Sequence, residues 1–135
     1  MVSAQQVGTA DEARAMLDRA IVALKANEAA ALSDFNDQDN KQFNDRDLYV
    51  FCYSMSDGKI TAYSIPALIG IDVRTLTLKD DSLGQRAYDA VQNSPEGSIV
   101  TMDYNFPKPG TTEPVPKQYL ETRVGNQACG VAYYK

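Results

Sequence analysis

The chain has no histidine and only two cysteines, Cys52 and Cys129. Without histidine, Ser-His-Asp and Cys-His nucleophilic mechanisms are excluded, as are histidine-based zinc sites. Two cysteines cannot complete a thiolate zinc cage either. Lys and Arg form no run, and the net charge is −5 with a pI near 4.6. That balance gives a phosphate backbone no electrostatic footprint, so nucleic acid is not an expected partner. No stretch approaches the roughly 18 to 20 apolar residues of a membrane-spanning helix, so no membrane span is expected in this chain. The first residues, Met1-Val2-Ser3-Ala4-Gln5-Gln6, lack the basic and apolar regions of a signal peptide. If the protein is exported, its signal is expected to have been removed, with residues 1–8 a disordered or vector-derived extension.

The remaining catalytic patterns are poor. No phosphate-cradling glycine loop and no dinucleotide fingerprint is present. Ser56-Asp57-Gly58-Lys59 has the S-x-x-K spacing of penicillin-recognising enzymes, where the serine opens a helix. Here Asp57-Gly58 reads as a hairpin tip that leaves both side chains in water. The acidic segment from Asp37 to Asp47 fails the calcium-loop pattern, because Lys41 follows Asp37 and Asp39 and no glycine stands at the turn. Asp80 and Asp81 are adjacent in sequence and so poorly placed to share a proton; they suit the entrance of a helix. The expectation is a protein that is not an enzyme and needs no cofactor and no metal.

What is present is one domain's worth of core: 135 residues, 44% of them hydrophobic. Thr9 and Glu12 have capping-box spacing. Ala13, Met16, Leu17, Ala20, Leu24, Ala31, Leu32 and Phe35 follow as one helical stripe, ended by the turn-forming cluster Asn36 to Asn40. The period then changes. Leu48 to Ser54 reads as a strand and Lys59 to Tyr63 as its return across Asp57-Gly58. Pro66 and Gly70 mark a loop from Ser64 to Asp81, and a second helix spans about Leu83 to Gln92. Strands at Ser98–Phe106, Lys117–Val124 and Gln127–Tyr134 complete the chain, the last two joined by Gly125-Asn126. An antiparallel sheet of about five strands with helices packed on it is the economical architecture.

Each cysteine sits in one of the strand-like segments. If those strands are neighbours, a Cys52–Cys129 disulfide would tie two halves of the sheet together and place the protein outside the reducing cytosol. Two buried thiols acting as small apolar residues are the other reading.

The words Asp47-Leu48-Tyr49-Val50-Phe51, Asp57-Gly58, Pro66 to Asp72, Tyr104-Asn105-Phe106-Pro107, Pro116-Lys117 with Tyr119, and Gly130 to Tyr134 recur in a specific order. In that order the chain resembles the single Cache domain, type 2, a PAS-like extracytoplasmic sensor module. The resemblance implies an α+β fold with a five-stranded antiparallel sheet, a long N-terminal helix and a shorter helix between strands 2 and 3. It implies a pocket on one side of the sheet for a small metabolite, often a short carboxylate, and a periplasmic or secreted location. In bacterial chemoreceptors and sensor kinases such a domain passes the binding event to the cytoplasm. The chain departs from the pattern at the second strand's exit, with Tyr63-Ser64-Ile65-Pro66 where many members carry His-Pro.

Strand alternation identifies the pocket face independently. If Cys52 faces Cys129, then Leu48, Val50, Val131 and Tyr133 share their face, and Tyr49, Phe51 and Tyr53 lie opposite with Gly130, Ala132 and Tyr134. Large aromatics beside small residues leave a hollow; alternatively, Gly130 and Ala132 are small so that the first helix packs closely. On the third strand Met102, Tyr104 and Phe106 share a face, and on the fourth Lys117 and Tyr119 do. The candidate ligand-binding residues are therefore Tyr49, Phe51, Tyr63, Tyr104, Phe106, Lys117 and Tyr119, a wall of aromatics with one lysine suited to a small anion. The alternative function is an interaction module with no small ligand, docking on a membrane receptor or on a second copy of itself.

Overall fold

The computed structural model describes residues 7–135. The first helix, α1 (Ala10–Ala26), is opened by the capping box anticipated from Thr9 and Glu12: the Thr9 hydroxyl accepts from the Glu12 N–H, and the Glu12 carboxylate accepts from the Thr9 N–H. The single long helix expected from the apolar stripe is two helices. Asn27 is extended at φ −166° and ψ 108°, and its side chain accepts from the Ala30 N–H. It thus caps both α1 and the following α2 (Glu28–Asn36). The fold also begins earlier than expected. Gly8 is buried, and its N–H donates to Asp47 Oδ1. Of the expected 1–8 extension, Gly8 belongs to the fold and residues 1–6 lie outside the described residues.

Seven strands follow: β1 (Asn44–Asp45), β2 (Leu48–Tyr49), β3 (Phe51–Ser54), β4 (Ile60–Ala62), β5 (Val100–Pro107), β6 (Pro114–Val124) and β7 (Gln127–Tyr134). β1 and β2 pair only with each other, and the other five form one antiparallel sheet in the order β4-β3-β7-β6-β5. The helix α3 (Leu83–Gln92) has the bounds its sequence suggests, and the loop before it contains two 3-10 turns at Pro66–Leu68 and Val73–Thr75.

The sheet separates two cores. On one face Ala13, Met16, Leu17, Ala20 and Leu24 of α1 pack on Leu48, Val50, Cys52, Leu120, Cys129 and Val131. Cys52 and Cys129 are register partners at the centre of this layer and are joined by a disulfide. On the other face α3 and the 3-10 turn at Val73–Thr75 cover Tyr53, Ile60, Met102 and Tyr119. Gly84 permits that cover: a Cβ there would stand 1.8 Å from the Val73 carbonyl oxygen. The small Gly130 and Ala132 face α3 rather than α1, so the first helix is not what they make room for.

Candidate functional site

Because side chains alternate along a strand, the register sorts the α3 face into cross-strand rows. Tyr104, Lys117 and Tyr134 form one row, Met102, Tyr119 and Ala132 the next, and Val100, Glu121, Gly130 and Phe51 the third. Large rings surround the small residues, and α3 bridges them. The result is a partly open cavity of about 90 Å³. An engineered cavity of about 150 Å³ admits benzene, so this is room for one organic molecule of a few non-hydrogen atoms.

The floor consists of Tyr49, Phe51, Met102, Tyr104, Tyr119, Gly130 and Ala132, and the roof of Tyr63, Val73, Leu76, Leu83, Gly84 and Ala87. Five of the seven candidate residues, Tyr49, Phe51, Tyr63, Tyr104 and Tyr119, therefore line one cavity. Their rings brace each other: Phe51 meets Tyr63 edge-on at 4.9 Å between centroids, and Tyr49 stacks on Tyr63 at 5.8 Å. Tyr63 is tethered from behind. Its N–H donates to Asn36 Oδ1, and Asn36 Nδ2 donates to the Thr61 carbonyl, so the end of α2 holds the exit of β4.

Lys117 and Phe106 do not line the cavity. Phe106 lies towards the far end of β5, opposite Val115, and is 40% exposed. Lys117 is buried one row from Tyr119, its Nζ 4.7, 5.2 and 6.0 Å from the ring centroids of Tyr134, Phe106 and Tyr104. Three ring faces around one ammonium are a cation–π arrangement. Burial pulls the Lys117 pKa below the usual lysine value, opposed by attraction to Asp47.

The polar side chains among the lining residues are the four tyrosines. Burial raises the Tyr49, Tyr63, Tyr104 and Tyr119 pKa values, so all four are neutral donors at ordinary pH. The Tyr119 hydroxyl is buried and has no hydrogen-bond partner among the described residues. Next along the same face of β6 comes Glu121, which is 0% exposed. Its Oε1 accepts from the Tyr53 hydroxyl at 2.8 Å, and its Oε2 has no partner. Burial pushes its carboxyl up to about 8, with the Tyr53 bond pulling the other way. Glu121 was not a candidate from the sequence, although the alternation that selected Tyr119 places it on the same face.

The lining holds no carboxylate, thiol, aliphatic hydroxyl or amine, so the cavity presents donors and apolar walls and no nucleophile–base pair. Among the described residues no group of three or more His, Cys, Asp or Glu side chains could hold a metal ion. None of the described helices is long and apolar enough to cross a membrane.

No family model and no curated protein matches the sequence. Solved structures that share the fold include the following three. A methyl-accepting chemotaxis protein from Vibrio parahaemolyticus aligns over 92% of this chain and 86% of its own, with a TM-score of 0.68 and 20% identity. The periplasmic sensor domain of a chemotaxis protein aligns over 92% and 88%, with a TM-score of 0.59 and 20% identity. A Cache chemosensory domain, described for its recognition of carboxylic acids, aligns over 88% and 83%, with a TM-score of 0.60 and 18% identity. The chain thus has the α+β fold of Cache sensor domains, with the five-stranded antiparallel sheet that the sequence suggested.

Proposed function

We infer that this domain is an extracytoplasmic sensor module that binds a short carboxylate and performs no chemistry on it. The observation that carries the reading is the cavity itself: four tyrosine side chains and apolar walls enclose a space over a floor opened by Gly130 and Ala132. Such a site suits a ligand with one acceptor group and a short aliphatic part. The buried Lys117 ammonium, one row away, adds positive potential on the same face. The disulfide fits an oxidising compartment. The carboxylic acid recognition and periplasmic placement named for two of the structural neighbours point the same way.

An interaction module without a small ligand would be served by a closed sheet face, and this face is hollow. The reading is tested by thermal unfolding with acetate, propionate, butyrate, pyruvate and lactate, against amides and amines of equal size. A ligand at a hundred times its Kd stabilises the fold by about 2.7 kcal/mol, a shift of several degrees for a domain of this size. A carboxylate-selective shift that Tyr104→Ala abolishes supports the reading. No shift from any carboxylate, together with no co-purifying small acid by mass spectrometry, overturns it.

A further inference from the structure

Tyr63 lines the cavity and braces two other lining rings, meeting Phe51 edge-on and stacking on Tyr49. It lies just past the end of β4, an edge strand, and has no register partner in the sheet. The end of α2 holds it instead. The Tyr63 N–H donates to Asn36 Oδ1 at 3.2 Å, and Asn36 Nδ2 donates to the Thr61 carbonyl at 2.9 Å. One side-chain amide thus grips the chain on both sides of Ala62, as a peptide group of a neighbouring strand would. Just beyond the helix, Gln38 Nε2 donates to the Ser64 carbonyl at 3.1 Å. The backbone from Thr61 to Ser64, which carries the Tyr63 wall, is therefore tied to α2 and to the turn that follows it.

The remaining ties of α2 do not reach the cavity. Asn27 is extended between the two helices and caps both. At the other end Asn44 Nδ2 donates to the Phe35 and Asp37 carbonyls, and the Phe35 ring meets Phe43 edge-on. None of Asn27, Phe35, Phe43 and Asn44 lines the cavity. Asn36 is the residue of α2 whose side chain bonds a lining residue.

We propose, resting on the carboxylate reading above, that Asn36 is a positioning residue for the ligand: it acts through Tyr63 and couples occupancy of the cavity to α2. A ligand seated against the Tyr63 ring resists displacement of the backbone that carries the ring, which strengthens the Asn36 clamp. By linkage the clamp strengthens binding by the same factor. Ligand and helix thus act on one short element, the chain from Thr61 to Ser64, and the rest of the sheet need not move.

The test compares the wild type with Asn36→Ala, Asn36→Asp and Asn44→Ala by calorimetric titration of propionate, urea unfolding, and amide hydrogen exchange with and without saturating propionate. Asn36→Ala loses both clamp bonds and should bind propionate about tenfold more weakly. Asn36→Asp keeps an acceptor for the Tyr63 N–H and should bind within about threefold of the wild type. Asn44→Ala loosens the same helix end without touching Tyr63, so it should lose stability yet also bind within about threefold of the wild type. Propionate should slow exchange across Glu28–Asn36 in the wild type and in Asn44→Ala, and leave it unchanged in Asn36→Ala. If Asn36→Ala does not fold, Gln38→Ala, at an exposed position, carries the test with a loss of about threefold in affinity. Unchanged affinity in Asn36→Ala, or an equal loss in Asn44→Ala, makes Asn36 a structural residue and overturns the proposal while carboxylate binding stands. Exchange in α2 that propionate leaves unchanged in the wild type does the same. No binding of propionate, acetate or butyrate by the folded wild type overturns the carboxylate reading and this inference with it.

Discussion

The Tyr53 hydroxyl donates to Glu121 Oε1 across 2.8 Å in a place neither residue shares with solvent. One neutral donor does not repay the loss of hydration of a carboxylate, so the acid keeps its proton instead.

The stability of the unliganded domain should therefore fall as the pH rises from about 4.5 to about 8. In the unfolded chain Glu121 ionises near its ordinary value, whereas the folded chain holds the proton until about 8. The folded state binds more protons throughout that window, and stability drops with each pH unit by at most about 1.4 kcal/mol from this group. Urea unfolding of the wild type and Glu121→Gln at intervals from pH 5 to 9 measures the difference directly. The wild type should lose ground to the variant up to pH 8 and then run parallel to it. Parallel curves over the whole range would show that Glu121 is ionised in the fold.

Two glycines should respond differently to alanine. At Gly84 a Cβ would meet backbone, the Val73 carbonyl oxygen at 1.8 Å, and only lifting α3 off the loop relieves the clash. At Gly130 it would meet the ring of Tyr119 at 2.4 Å, although the Leu120 carbonyl oxygen is also close at 2.5 Å. The ring can tip into the cavity. Both substitutions should destabilise by about 1–3 kcal/mol, as overpacking does. In Gly130→Ala, propionate affinity should fall more than stability, because Tyr119 then fills the space the ligand needs. Calorimetric titration beside urea unfolding separates the two effects, and a Gly130→Ala protein that binds normally would refute this account of the floor.

The floor of the site was legible in the sequence, and of its roof only Tyr63 was. Alternation from Tyr49 of β2 into β3 and along β7 depends only on the two-residue period of a strand, so Tyr49, Phe51, Gly130 and Ala132 fall on one face whatever the rest of the chain does. Val73, Leu76 and Ala87 come from an aperiodic loop and from a helix whose rotation is set by tertiary contact, and no local pattern aims them at the sheet. The break at Asn27 was hidden because the apolar stripe keeps its helical phase from Leu24 to Ala31 across it. Glu121 was passed over for a different reason: a glutamate in a strand reads as a solvent-facing residue, since carboxylates are almost never fully buried. Lys117 and Phe106 share the right face but do not line the cavity, although Tyr104 in the row of Lys117 does.

The disulfide joins residues 77 apart in the chain. Alkylation of the unreduced, denatured protein should label neither Cys52 nor Cys129, and prior reduction should expose both. Double labelling without reduction would remove the argument for an oxidising compartment. Closing so long a loop in the unfolded chain stabilises the fold by about 4–5 kcal/mol at most, and loss of a native bridge usually lowers stability by about 2–5 kcal/mol. Cys52→Ala with Cys129→Ala should therefore lower the urea midpoint with little effect on propionate affinity, because the bridge lies on the α1 face of the sheet.

Lys117 tests whether a buried charge is kept for binding or for stability. Its ammonium is buried, and the surrounding rings together with the attraction of Asp47 offset the lost hydration only in part, since burial still lowers its pKa. Replacing such a group by an apolar one of similar length is often neutral or stabilising. Lys117→Met should thus leave the unfolding free energy unchanged or raise it by about 1 kcal/mol. Propionate should bind the variant about tenfold more weakly if the ammonium's potential serves the anion, a loss of about 1.4 kcal/mol. A marked fall in stability with unchanged affinity would make Lys117 a structural residue, held by its rings, and would leave the anion to the tyrosines.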